Sequence, residues 1–133
     1  MNYQGFITEY LSSLLGTEIV YSHNDCHIMA LTVIDIMLGG TRYTDEIRGK
    51  YKTPKEGRAY AIKNCSYPTL EALCESIGTE VNEPNDGDIL ISKSEGNCTV
   101  FWRGKILVLN DDVWGITRIN SFNDYKIYRI RRN

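Results

Sequence analysis

The hydrophobic period of this chain changes once, and that change restricts its fold more than any other feature. Before residue 78 apolar residues recur at helical spacing; after Pro84-Asn85-Asp86-Gly87 they gather into short runs rich in Val, Ile, Thr, Tyr and Trp. Phe6, Tyr10, Leu11, Leu14 and Leu15 mark an amphipathic first helix that stops at Gly16. Cys26 to Leu38 is apolar nearly all round and ends at Gly39-Gly40, which predicts a helix in the middle of a core. Its 13 residues fall short of the roughly 18–20 that span a bilayer, so we expect no membrane partner. Thr53-Pro54-Lys55-Glu56 spells a capping box with proline at the first helical position, opening a helix through about Ile62. Thr69 caps another over Leu70 to Ile77, closed by Gly78. Asp88–Ser92, Cys98–Trp102, Lys105–Leu109, Val113–Ile119 and Tyr125–Ile130 read as strands. The turns from Cys98 onward are too short for a parallel crossover, so those strands pair antiparallel. The pattern predicts an α+β domain over 1–133, its N-terminal helices packed on an antiparallel sheet of about five strands.

With 133 residues, 42% hydrophobic and 24% charged, the chain can bury a core without covalent staples. A net charge of −2 excludes a generally basic nucleic-acid coat and a disordered acidic tail. The charge is uneven: from Arg103 onward seven basic residues face three acidic ones, giving +4 there and −6 over the first 102 residues. Such a cationic end suits docking to a neighbouring subunit or an anionic polymer, or it is an edge strand guarded by charge. The cations and aromatics of Lys126 to Arg132 are read as an edge strand rather than a nucleic-acid surface. Trp102 is expected in the core and Trp114 at an interface. Asp35, inside the apolar helix, belongs to a buried polar network with Arg48 or Tyr43, or to one solvated stripe.

The four cysteines are Cys26, Cys65, Cys74 and Cys98. Met1 to Phe6 lack the basic and apolar regions of a secretory leader, so reduced thiols are expected. No C-x-x-C occurs, and His23 and His27 both lie beside Cys26; we expect neither a metal nor a cofactor. Asp25-Cys26 stands where an extended segment turns into the buried helix. A helix N-terminus presents unpaired N–H groups and a positive dipole end, which favour a thiolate and can hold an oxyanion. A nucleophile and an ordinary buried cysteine both fit that position.

Tyr21-Ser22-His23-Asn24-Asp25-Cys26, the apolar helix behind it and Gly39-Gly40 resemble the nucleophile segment of NlpC-like peptidases, papain-like cysteine hydrolases of bacterial cell walls and phage tails. The chain is also similar to a small family of phage-encoded NlpC-like proteins. Their pattern runs aromatic-Gly-x-x-Asp-Cys, a helix, Arg-Gly-x-Tyr-x-Thr, Gly-Asp before the first strand, then a strand ending in Gly. Here Arg48-Gly49-Lys50-Tyr51-Lys52-Thr53, Gly87-Asp88 and Val100-Phe101-Trp102-Arg103-Gly104 follow in that order. The resemblance implies a papain-like NlpC fold with Cys26 as nucleophile, Cys98 where the family carries its histidine base, and Asn110 as the third, orienting residue. No histidine follows His27, and Ser22 replaces the family's glycine. His23 is the one substitute base within reach along the chain. The resemblance then implies a catalytically degenerate domain: a structural or assembly component of a phage virion, with tail subunits and other virion proteins as partners and peptidoglycan as a possible one. It would reside in the virion, and in the host cytoplasm during assembly. The alternative is an active cysteine peptidase or amidase cleaving peptidoglycan stem peptides during infection. Either way Cys26 should face Cys98, close enough for a disulfide on oxidation.

Overall fold

A computed structural model describes residues 3–131. Met1, Asn2, Arg132 and Asn133 lie outside the described residues, and with them part of the leader reading and one C-terminal cation. The helices are α1 (Tyr3–Leu14), α2 (Cys26–Leu38), α3 (Arg42–Asp45), α4 (Pro54–Asn64) and α5 (Leu70–Ile77). The strands are β1 (Gly78–Val81), β2 (Ile89–Ser92), β3 (Cys98–Trp102), β4 (Lys105–Asn110), β5 (Val113–Arg118) and β6 (Tyr125–Ile130). They form one sheet in the order β1-β6-β2-β3-β4-β5, antiparallel throughout.

α2 is the centre of the core. Ile28, Met29, Ala30, Val33 and Ile34 are fully buried, because nearly every face of this helix meets another element. α1 and α5 pack beside it, and the sheet closes the core with Ile89, Val100, Leu107, Trp114 and Tyr128. The far face of the sheet carries a smaller cluster around Leu90, Ile106 and Ile127. Both ends of α2 are capped, the C-terminal one by the glycine that the sequence predicts. Asp25 caps the start, and Gly39, at φ +82°, turns the chain out so that its N–H and that of Gly40 return to the Asp35 carbonyl at 2.8 and 3.0 Å. The Asp35 side chain accepts from Tyr43 N, Thr44 N and Thr44 Oγ1 at 2.9–3.0 Å, so it caps α3 rather than pairing with Arg48.

Three expectations change. The sheet has six strands, because Gly78 does not merely end α5 but opens β1. β1 carries one half-buried apolar residue, Val81, and no alternation; its hydrogen bonds to β6 define it, and those are long-range. β6 is accordingly an interior strand, between β1 and β2, not an edge. Its cations are engaged within the fold. Arg129 grips the buried Asp88 with Nε and Nη2 at 3.2 and 2.9 Å, Lys126 meets Glu71 at 2.8 Å, and Arg131 donates to the Ser76 carbonyl at 3.0 Å. Gly87-Asp88 thus serves the sheet: Gly87 N donates to Phe101 O at 2.8 Å and Phe101 N to Asp88 O at 3.0 Å. Finally, both tryptophans belong to the core, Trp102 packing against it as expected and Trp114 lying inside it rather than at an interface. Trp114 is the buried one, its Nε1 donating to Asn24 O at 2.7 Å, whereas Trp102 is half-buried at the rim.

Gly78 is required by close approach rather than by turn geometry. A Cβ there would sit 2.8 Å from the Cys74 carbonyl oxygen and 2.9 Å from that of Arg129, both backbone atoms. Gly78→Ala is expected to lower stability by about 1–3 kcal/mol, the usual penalty for overpacking against rigid neighbours. Gly40→Ala, with no atom within 4 Å of the added carbon, should stay within about 0.5 kcal/mol of the parent in the same denaturant titration.

Candidate functional site

The N-terminus of α2 is built around the Asp25 side chain. Asp25 is buried and accepts three hydrogen bonds: Ile28 N at 2.9 Å, Ser22 N at 2.7 Å, and the Tyr51 hydroxyl. The first is the helix cap and the other two fix the loop that delivers Cys26. Ser22 holds φ +70°, which explains why a glycine is expected at this position. Burial, and then the bond to Asp25, push the Tyr51 hydroxyl well above the ordinary phenol range, so it remains a proton donor.

The Arg48–Thr53 motif turns out to be the clamp on this loop. Arg48 Nη1 donates to His23 O at 3.0 Å, Gly49 N to Ser22 O at 3.1 Å, and Tyr51 to Asp25. Thr53 caps α4, accepting from Glu56 N at 3.2 Å. Nothing in the spacing alone joins Tyr51 to Asp25, 26 residues away. The available signal was that the two motifs occur together.

Cys26 is the first residue of α2 and is half-buried. Cys98 opens β3 directly opposite, and its Sγ donates to the Cys26 carbonyl oxygen at 3.2 Å. The Cys98 thiol beside it brings the Cys26 pKa down to about 7, against burial and the nearby Asp25, which raise it. The backbone N–H groups of Cys98 and His27 help in the same direction. Cys98 answers in the opposite sense. The bond to Cys26, and then burial, hold its own proton on well above the usual thiol range.

The other candidate residues are not brought to this pair. His23 is exposed and lies over Gly49; no hydrogen bond joins it to Cys26 among the described residues. His27 points away, as the 100° step of a helix requires, and lines a small cavity of ≈ 20 Å³ with Tyr43, Glu46 and Tyr67. Burial lowers its pKa, disfavouring the imidazolium. Asn110 ends β4 opposite Val113. Strand alternation puts it on the face of Ile106 and Val108, whereas Leu107 and Leu109 face the side of Cys26 and Trp114. The assignment of Asn110 as orienting residue therefore fails on geometry. What remains is a thiol at a helix N-terminus, its pKa brought down to about 7, with a second thiol donating to its backbone carbonyl. Among the described residues nothing beside it accepts its proton. No group of three or more His, Cys, Asp or Glu residues is arranged to hold a metal among them either.

Two measurements check this description. The alkylation rate of Cys26, followed by peptide mass spectrometry, should rise with pH around a midpoint of about 7. In Cys98→Ala the midpoint should move up, since the bond favouring the thiolate is gone. Tyr51→Phe, which deprives the buried Asp25 of a donor, should cost about 1–3 kcal/mol in thermal or chemical unfolding.

The fold has a relative among solved structures. RipD from Mycobacterium tuberculosis, described as a non-catalytic NlpC/p60 domain protein adapted to peptidoglycan binding, superposes over 98% of both chains with a TM-score of 0.50 at 15% identity. At that identity the likeness establishes the fold alone: this chain has the papain-like NlpC architecture. A search of curated proteins found none with matching sequence. The family described as Domain of unknown function (DUF6950) matches residues 1–130, and the chain belongs to it.

Proposed function

We propose that this protein is a non-hydrolytic NlpC-like component of a phage virion, acting in the tail as a structural or assembly part. The observation that carries the non-hydrolytic reading is Cys98. It opens the strand opposite Cys26, its S–H donates to the Cys26 carbonyl oxygen, and it stays protonated well above the usual thiol range, so it is no proton acceptor. Peptide hydrolysis needs a group that takes the thiol proton and returns it to the leaving amine. His23 and His27 are turned elsewhere, and both oxygens of Asp25 are engaged by backbone and Tyr51 donors.

The virion role is supported by the order of motifs shared with phage-encoded NlpC-like proteins. Peptidoglycan as a ligand is supported by the description of RipD, whose NlpC/p60 domain is non-catalytic and adapted to peptidoglycan binding. The two fit one protein, since a tail meets the cell wall during infection. Its partners would be tail subunits and other virion proteins, and it would be found in the particle and, during assembly, in the host cytoplasm. Exposed Phe6, Leu15 and Ile116, on and beside α1, offer apolar contact area for such docking.

The test pairs the parent with Cys26→Ala. Both are expected to release no fragments from purified peptidoglycan, to sediment with it equally, and to appear in purified particles at equal copy number. Fragment release by the parent that is lost in Cys26→Ala would establish the peptidase or amidase instead. Absence of the chain from particles would remove the virion role.

A further inference from the structure

The non-hydrolytic reading leaves two facing thiols without a task, and their surroundings differ from those of the other two cysteines. Cys74 is fully buried, and burial pushes its thiol up to about 12. Cys65 lies against the carbonyl of Glu46 at 4.0 Å, and burial raises it as well. Cys26 and Cys98 come from distant parts of the chain, yet the Cys98 sulfur is 3.2 Å from the Cys26 carbonyl oxygen, to which its thiol donates. Both keep some solvent exposure. The α2 N-terminus and β3 are packed together, so the two residues meet without any loop having to close.

We infer that Cys26 and Cys98 form a peroxide-reactive pair, in which Cys26 reduces a small hydroperoxide and Cys98 closes a reversible disulfide. In the first step the Cys26 thiolate attacks the outer oxygen of the hydroperoxide. The S–O bond forms, the O–O bond breaks, and the leaving alkoxide or hydroxide takes a proton from water. Cys26 is then a sulfenic acid and the hydroperoxide an alcohol or water. In the second step Cys98 gives up its proton and attacks the Cys26 sulfur; the S–S bond forms and the sulfenic oxygen leaves as water. Two thiols are oxidised and one peroxide is reduced.

The pair also sets the order of events. While Cys26 is a thiolate, its charge and hydrogen bond keep the proton on Cys98. A sulfenic acid is neutral, so that restraint disappears only after Cys26 has reacted. Cys26 is therefore the attacking thiol and Cys98 the resolving one. Neither step needs a histidine or a residue from another chain, and the inference stands independently of the virion role.

The test uses the reduced full-length protein and hydrogen peroxide as probe. After quenching with an alkylating agent, peptide mapping should find the Cys26 peptide joined to the Cys98 peptide, before Cys65 or Cys74 is modified, and reversibly on adding dithiothreitol. In Cys98→Ser, Cys26 should accumulate as a sulfenic acid captured by dimedone. In Cys26→Ser, peroxide consumption should fall at least about tenfold. The inference is overturned if the parent stops at the sulfenic acid, if Cys65 or Cys74 oxidises first, or if Cys26→Ser consumes peroxide at the parent rate. The parent result requires no variant, so a poorly folding substitution does not decide the outcome.

Discussion

Asp25 sits where three segments of the chain meet, and its carboxylate is the contact on which the arrangement of the site depends. Taking a carboxylate out of water costs several kcal/mol unless its oxygens are filled with donors. Here they are filled by the cap of α2, by the backbone of Ser22 and by Tyr51 from the following loop. Because the donors come from separate segments, satisfying one carboxylate fixes all three relative to one another. Asn24, its neighbour, receives the Trp114 indole from β5, so the sheet is tied to the same loop. The position of Cys26 at the first turn of α2 follows from these bonds.

The position of Cys26 bears directly on the ionisation of its thiol. A helix N-terminus and a hydrogen-bond donor both favour a thiolate, and Cys98 supplies the donor. Favouring the thiolate is only half of acyl transfer. The proton must be kept nearby and delivered to the leaving group, which a group that is itself a firmly protonated thiol does not do. The second thiol opposite Cys26 thus favours the thiolate without supplying a proton acceptor. It leaves chemistry in which the leaving group protonates itself from water, and two sulfurs placed to share the product.

The charge asymmetry of the sequence has a comparable history. Counted along the chain, the C-terminal segment looks like a free cationic surface. In three dimensions Arg129 is spent on the buried Asp88 and Lys126 on Glu71. An ion pair between residues 41 positions apart is invisible to a running count.

The amino-acid sequence by itself determined the elements whose causes are local. The caps at Thr53 and Thr69, the glycine exit at Gly39, the unbroken apolar surface of α2 and the change of period after Gly87 each lie within a few residues, so α2, α4, α5 and strands β2 to β6 could be read directly. The facing of Cys26 and Cys98 followed from the order of motifs. Tertiary structure alone decided the rest. β1 exists because β6 offers it hydrogen bonds, β6 is interior because β1 exists, and Trp114 is buried because Asn24 presents a carbonyl to it. Which face of β4 carries Asn110 is set by the register of the sheet, and a single residue of offset in a strand sends a side chain to the opposite face. The protonation of the two thiols is likewise a property of the pair, since each shifts the other in opposite directions only when the fold brings them into contact.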